Sequence, residues 1–510
     1  MSKTTITCGR GKVAAFVFCG LFAPGMAFSA ASTPPVTPVD LTTTNNGSVV
    51  AESTAAGLNW KGEKAFNGIA NLADNQGYGR WLAKKADNMY VVYKFNAATT
   101  VDAIGIYNAS TSWGGTKIAE RAPNSWTLQG SNDNSTWVTL DTQSGETGWG
   151  DAEYRYYKFD NTTPYLYYKF NCTTNNGETS TTYYLQLQEI EFYFMGPDTA
   201  TWTGGGESGS LADLGNWTPS LPGRVSSVTI DNTGETDAEI SEGVVVYNHL
   251  YMGTKQGTAR LIIEGGEFVT CDSVEVGSTL GGVGEIMQTG GNSSFNNVYI
   301  GYENGQGVYE LTGGCSAALG TVSVGRFGTG RLLVAGLDTV LTTPNVRVGY
   351  YYSSSKRGTG TLAVTNGGEI ATAKIYGGGN TVGQATVMFD GGKLTATANS
   401  AEFLKGLLNI ELKEGGLVID TQGYNLTIAN CTFNVTPGGK ITVIGGGTVT
   451  FTNVTLNLAE IPRRSFVFAE TDGVFSGAPT FSGNKGKRML VSDDNTNISV
   501  LVPGLTIVVY

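Results

Sequence analysis

The chain has 510 residues, 72 of them glycine, with 32 basic against 43 acidic residues and a single histidine, His249. A formal net charge of −11, with no basic run interleaved with aromatics, excludes nucleic acid as a natural partner, because such a surface repels phosphate backbones. Only 15% of residues are charged, and abundant Gly, Thr and Asn argue for an all-β, turn-rich extracellular protein over a helical cytosolic enzyme.

At the N-terminus Lys3, Arg10 and Lys12 precede an apolar run from Val13 to Met26 and the small-residue cluster Ala27 to Ala31. This order predicts a secretory signal over residues 1–31, cleaved after Ser29 or Ala31. A lipoprotein anchored at Cys19 is the competing reading, and the bulky Phe18 stands where a small residue is expected. No later run of about 20 apolar residues occurs, so the expected product has no transmembrane segment and is secreted or held at the cell surface. Pro34, Pro35 and Pro38 among threonines mark residues 32–44 as an extended linker. Of the six cysteines, Cys172, Cys271, Cys315 and Cys431 come after the signal in no metal-binding pattern and read as buried small hydrophobes.

Residues 45–196 form an aromatic segment. Six of the eight tryptophans lie here, and strand-like alternation recurs between Gly, Asn, Asp and Ser turns, as in Val91–Phe95, Val101–Tyr107, Tyr165–Phe170 and Glu189–Phe194. Seven or eight such runs with no helical period predict a jelly-roll β-sandwich.

Here the residues carry a resemblance. Ala65-Phe66-Asn67-Gly68, Trp81, the run Ala122-Pro123-Asn124-Ser125-Trp126-Thr127-Leu128-Gln129-Gly130-Ser131-Asn132-Asp133, Trp137, and Leu187-Gln188-Glu189-Ile190-Glu191-Phe192-Tyr193 resemble a discoidin, or coagulation-factor type C, domain. Bacterial members of that galactose-binding-like family are often family 32 carbohydrate-binding modules. The resemblance implies a carbohydrate partner, and a structural calcium ion near Asn67 and Glu189. The family usually has Asp where this chain has Asn67, which removes one negative ligand, so an empty site with Asn67 serving only its turn stands beside the calcium reading. Sugar recognition needs exposed aromatic faces with a few fixed polar groups. Loop positions make Trp60, Tyr78, Trp113 and Trp149 the candidates, with Lys117 and Arg121 as polar partners; each aromatic reads equally as a loop anchor. Trp81, Trp126 and Trp137 are assigned to the core.

Residues 197–235 carry Trp202 and Trp217 and resemble the opening segment of autotransporter-associated β-strand repeats, which would cap a stacked array. From 236 to 445 a β-solenoid is predicted. Its clearest mark is Val-x-(Val/Ile)-Gly, seen at Val274–Gly277, Val298–Gly301, Val322–Gly325 and Val346–Gly349, with the glycines 24 residues apart at 277, 301, 325 and 349. In a strand the two branched residues share the inner face, and the middle residues, Glu275, Tyr299, Ser323 and Arg347, face outward. Double glycines such as Gly265-Gly266 mark second corners, and Tyr350 to Gly360 reads as a corner insertion. Roughly eight to ten turns would give a rod of about 40–50 Å. Residues 446–510 are expected to close the stack as a C-terminal β cap.

A β-solenoid can be a polysaccharide lyase or hydrolase, which needs a base and charge-stabilising groups converging from neighbouring turns. The columns after the double glycines repeat no residue type, and His249 has no evident nucleophile partner, so the chain reads as no enzyme. The sequence thus points to a secreted carbohydrate-binding protein whose solenoid is a spacer. A structural or adhesive protein that associates with proteins or with itself is the alternative.

Overall fold

The computed structural model describes residues 40–42, 46–68, 79–109, 117–231, 236–279, 281–353, 356–377, 385–458, 466–481 and 488–501. The signal, most of the linker, Tyr78 and Trp113 lie outside the described residues. The chain divides into two compact units, Met1–Gly196 and Pro197–Tyr510. Both are almost entirely β, as expected.

The first unit is a sandwich. One antiparallel sheet runs in the order Gly47–Glu52, Met89–Thr99, Tyr165–Asn175, Pro123–Ser131, Val138–Gln143. The other places Ala103–Tyr107 between Glu189–Tyr193 and Tyr154–Lys158. Alternation puts one side of each strand inward, and aromatics fill the space. Trp126 meets Tyr157 edge-on at 5.0 Å, and Phe95, Tyr168 and Phe192 interlock beside them. Trp81 and Trp126 are fully buried, as core residues should be. Trp137 is not: it is half-exposed, with the Lys169 ammonium 4.3 Å from its ring centroid. It directly precedes Val138–Gln143, an outer strand of the larger sheet, so its neighbourhood lacks the covering strand that a core position needs.

The second unit is a β-solenoid of about 11 turns. The Val-x-Val-Gly strands stack in parallel and in register, Val274 on Val298, Val322 and Val346, and Val276 on Ile300, Val324 and Val348. All eight side chains are buried. At full burial each contributes on the order of 1.5–3 kcal/mol of hydrophobic stabilisation, which is why one polar residue in either column would be felt. The corner glycines explain themselves physically. Gly301 has φ +72°, and a Cβ there would lie 2.3 Å from the Thr329 carbonyl oxygen of the next turn. Its N–H donates to the Val276 carbonyl at 2.7 Å, so the ladder continues through the bend.

An internal aromatic chain seals the first turns, running from Trp202 through Trp217, Tyr247, Phe268 and Phe295 with centroid spacings of 5.2 to 6.0 Å. The stack continues beyond residue 445: Thr448–Thr452, Thr455–Leu458, Val474–Ser476 and Thr480–Phe481 add parallel rungs after the glycine rhythm has faded. Rung addition needs only backbone pairing and an inward apolar residue. Closure comes later, where Asn497–Leu501 pairs antiparallel with Phe466–Thr471 and Arg488–Val491. The predicted insertion is a hairpin, Tyr350–Ser353 against Lys356–Thr365. Cys172, Cys315 and Cys431 are buried, whereas Cys271 is half-exposed.

Candidate functional site

In the first unit three of the predicted residues converge. Leu58–Trp60 is one turn of 3₁₀ helix, and the Trp60 ring lies over Gly57, where a Cβ would come within 3.2 Å of the indole. The loop 178–184 brings Tyr183 to that ring, edge to face, with centroids 5.8 Å apart. The helix Ile118–Arg121 supplies the Arg121 guanidinium, 5.3 Å above the Tyr183 ring. Trp60 and Tyr183 are half-exposed, and the neighbouring Leu58 is 83% exposed. The surface is therefore aromatic and apolar on one side and cationic on the other.

Glu178 holds it together. Its buried carboxylate receives Lys117 Nζ at 3.2 Å on one oxygen and Arg121 Nε at 3.1 Å on the other. The N–H groups of Thr179 and Ser180 also donate to it, each at 2.9 Å. Burial alone would raise this carboxyl. The hydrogen bond from Ser180 and the two cations reverse that and hold it at about 2. Arg121 reaches further to the Gln186 side-chain oxygen at 3.4 Å. Asn175 Nδ2 donates to the carbonyls of Glu178 and Tyr184, fixing the loop between them. A buried hub of this kind orients Lys117, Arg121 and Tyr183 before any ligand arrives.

Trp149 is elsewhere. It is 4% exposed, its Nε1–H donates to the Pro123 carbonyl at 3.0 Å, and the Arg155 guanidinium covers its ring at 4.0 Å. The loop aromatic expected to present a face is thus a packed anchor. Tyr183, Glu178 and Leu58 were not legible as site residues. The only sequence signal was a pair of tyrosines, Tyr183-Tyr184, ending a Ser/Thr-rich loop.

The two residues expected at a calcium site lie at one turn. Gly68 N–H donates to the fully buried Glu189 carboxylate at 3.1 Å, directly beside Asn67. Calcium takes six to eight oxygens. Among the described residues no group of three or more His, Cys, Asp or Glu could hold a metal, so Glu189 and Asn67 are at most part of a set.

In the solenoid the register gives His249 partners on the next rung, one of them a full 24-residue repeat away. Its Nδ1 is 2.9 Å from Ser273 Oγ, and its Nε2 is 3.1 Å from Asp272 Oδ2. Ser273 is only 7% exposed, so this chain of polar groups presents no nucleophile to solvent and serves to orient the imidazole, which stacks on Tyr251 at 5.7 Å. Carboxylates along the array are tied between rungs: Lys393 lies 3.4 Å from Glu369 and 3.3 Å from Asp420. Among the described residues no helix is long and apolar enough to cross a membrane.

No protein-family model and no curated protein matches the sequence. Solved structures similar to it include carbohydrate-binding modules. They include chitosan-binding module 1 from a chitosanase/glucanase of Paenibacillus sp. IK-5, at 20% identity over 31% of this chain and 99% of that one, TM-score 0.22. A second is CBM32-3 from a family 31 glycoside hydrolase of Clostridium perfringens, at 19% identity over 31% and 94%, TM-score 0.23. A third is the family 32 carbohydrate-binding module of Streptococcus pneumoniae EndoD, at 12% identity over 30% and 99%, TM-score 0.24.

Proposed function

We propose that the first unit binds carbohydrate through Trp60, Tyr183, Lys117 and Arg121, and that the solenoid is the scaffold of a secreted protein that displays it. The observation that carries this reading is the half-exposed Trp60–Tyr183 pair beside two cations fixed on a buried carboxylate. Aromatic surface takes the C–H side of a sugar ring, and the ammonium and guanidinium offer donors to its hydroxyls or to a carboxylate. Pre-set donors lower the ordering cost that weakens binding on mobile side chains. A structural calcium held in part by Asn67 and Glu189 belongs to the same reading. In the solenoid, His249 is held by a buried serine and Glu369 and Asp420 are tied to a lysine, which favours a scaffold over a hydrolytic role.

A glycan array probed with the full chain, with and without calcium, tests the proposal. Binding that disappears in Trp60→Ala and Tyr183→Ala, both still folded, is the expected result. A folded wild-type chain that binds no glycan in either condition would rule it out.

A further inference from the structure

Two outward columns run side by side along the solenoid. One passes from His249 through Ser273, Asn297, Thr321 and Asn345 to Lys374. The other lies two residues further along each strand and reads Tyr251, Glu275, Tyr299, Ser323, Arg347 and Tyr376. Residues two apart on a strand point the same way, so the columns stand about 7 Å apart, and five steps of about 4.8 Å make each roughly 24 Å long.

The centre of the first column is polar and short. Asn297, Thr321 and Asn345 are half-exposed on neighbouring rungs, and among the described residues their side chains make no hydrogen bond. Elsewhere on the array outward amides satisfy one another. Asn434 Nδ2 donates to Asn409 Oδ1 at 2.6 Å, and Asn457 Nδ2 donates to Asn434 Oδ1 at 2.9 Å, each on the next rung. Thr321 stands between Asn297 and Asn345 and keeps them two rungs, about 9.6 Å, apart, too far for such a ladder. Their donors and acceptors therefore face outward.

The second column is bordered by aromatic rings. Tyr302, from the corner, stacks on Tyr299 at 5.7 Å, and Phe327 lies 6.2 Å from Tyr302 and 4.8 Å from Tyr350. All four are half-exposed. The charges among them are already engaged. The Arg326 guanidinium covers Tyr299 at 4.1 Å, and Glu275 sits in the field of both Arg326 and Glu303. Arg347 lies against Tyr350 at 3.7 Å. Both signs are present and set against each other, so the face offers an anion or a cation no advantage.

We propose that this face binds a neutral polysaccharide stretched along the solenoid axis. Its hydroxyls bond to Asn297, Thr321 and Asn345, and the C–H faces of its rings rest against Tyr299 and its aromatic neighbours. Amide and hydroxyl groups donate and accept together, as sugar hydroxyls do. The two-rung step between the asparagines is of disaccharide size, so a regular chain meets like groups at like intervals. A peptide strand finds no free backbone edge along the columns, because the rungs already hydrogen-bond to one another. The site is separate from the one in the first unit and does not depend on it.

The test is affinity electrophoresis of the full chain in gels containing mixed-linkage β-glucan, xylan or galactomannan, with polygalacturonate and a plain gel as controls. The chain carries Trp60→Ala throughout, so that the first unit does not contribute. Retention by at least one neutral polymer is expected, unchanged by salt. Asn297→Ala combined with Asn345→Ala should weaken it about tenfold, the worth of two hydrogen bonds. Tyr299→Ala should weaken it as much. Thermal midpoints verify folding, and the asparagine pair, whose side chains hold nothing in place, carries the test if Tyr299→Ala does not fold. The proposal is overturned if no neutral polymer retains the folded chain, if retention survives both changes, or if polygalacturonate alone retains it in a salt-sensitive way. Self-association in sedimentation velocity that vanishes with the asparagine change would also overturn it, in favour of a second copy. The glycan array reports on the first unit independently, so the two proposals fail separately.

Discussion

Trp60 and Tyr183 come from opposite ends of the first unit's sequence and meet with their ring planes at 86°. An edge-to-face pair of this kind adds about 0.5–1.5 kcal/mol beyond its buried area. Removing either ring exposes the other and opens the aromatic side of the site. Trp60→Ala and Tyr183→Ala are each expected to weaken glycan binding at least ~10-fold, or about 1.4 kcal/mol. They should lower stability by about 1–2 kcal/mol, within the ordinary range for half-exposed side chains. Titration calorimetry with a glycan selected on the array, paired with urea melts, separates the two effects. An affinity unchanged in both variants would remove the pair from the site.

Glu178 gives a second prediction. Glu178→Gln keeps the shape and discards the charge that receives Lys117 and Arg121. It leaves two cations around a neutral amide, and a loss of about 2–3 kcal/mol is expected from breaking charged hydrogen bonds at a buried carboxylate. Glycan affinity should fall with rings and cations all still present, because their positions are no longer fixed. Equal affinity in Glu178→Gln would show that the hub serves the loop alone.

Two buried carboxyls set the pH response of the first unit. Burial pushes Asp102 up to about 6, although the N–H groups of Met195 and Gly196 donate to it at 2.7 and 2.8 Å. Burial also raises Glu191, to about 7, against the hydrogen bond it accepts from Tyr193. Both folded values lie above the unfolded ones, so this stability is fully present below about pH 4 and is lost as pH rises through about 6 to 7, at ~1.4 kcal/mol per unit of separation. Glu178 has the opposite sign, but its contribution is lost only as pH falls towards about 2. The first unit should therefore melt higher at about pH 5 than at about pH 7.5, and Asp102→Asn should flatten the difference. Scanning calorimetry across that window checks both; a midpoint that rises towards pH 7.5 contradicts the assignment.

How far the sequence could be read depended on which contacts set each position. The inner columns were legible because a period of two along the strand and a 24-residue repeat leave Val274, Val298, Val322 and Val346 one place to go. Outwardness was legible too, but exposure was not. Ser323 points away from the core yet is only 7% exposed, because Tyr299 and Arg347 flank it on the neighbouring rungs. The Ser273 partner of His249 was within reach of the same repeat: it lies 24 residues on, one rung away, and only the contact itself needed the fold. In the sandwich, motif position said little about burial. Trp149 sits in a Gly-rich loop and is buried, whereas Trp137 belongs to the motif and stands half-exposed, because the covering chain comes from strands distant in sequence. Tyr183 lay in a loop with no alternation to mark it, and only the fold brings it to Trp60.

At the turn beside Asn67, calcium makes a separable prediction. If the ion binds there, millimolar calcium raises the melting midpoint of the wild type, since a ligand at about 100 times its Kd adds ~2.7 kcal/mol to the folded state. Glu189→Gln should abolish that increment and cost stability in its absence as well, because Gly68 N–H loses a charged acceptor. Differential scanning fluorimetry with calcium and with chelator decides. A wild type indifferent to calcium leaves Glu189 as the acceptor that closes the turn.

The last prediction concerns neighbours that point in opposite directions. Val324 lies between Ile300 and Val348 in the inner column and is 1% exposed, so Val324→Asp places an unpaired carboxylate in a dry stack. A loss above about 4 kcal/mol is expected, enough to unfold several turns or to force the carboxyl to stay protonated. Ser323→Asp puts the same group one residue away, on the outer column beside Arg347 on the next rung. A cation lies beside it there, and although the position is only 7% exposed the loss should be well below that of Val324→Asp. Guanidinium melts of the two variants measure the difference directly. Equal destabilisation would mean that the outer column is as closed as the inner one.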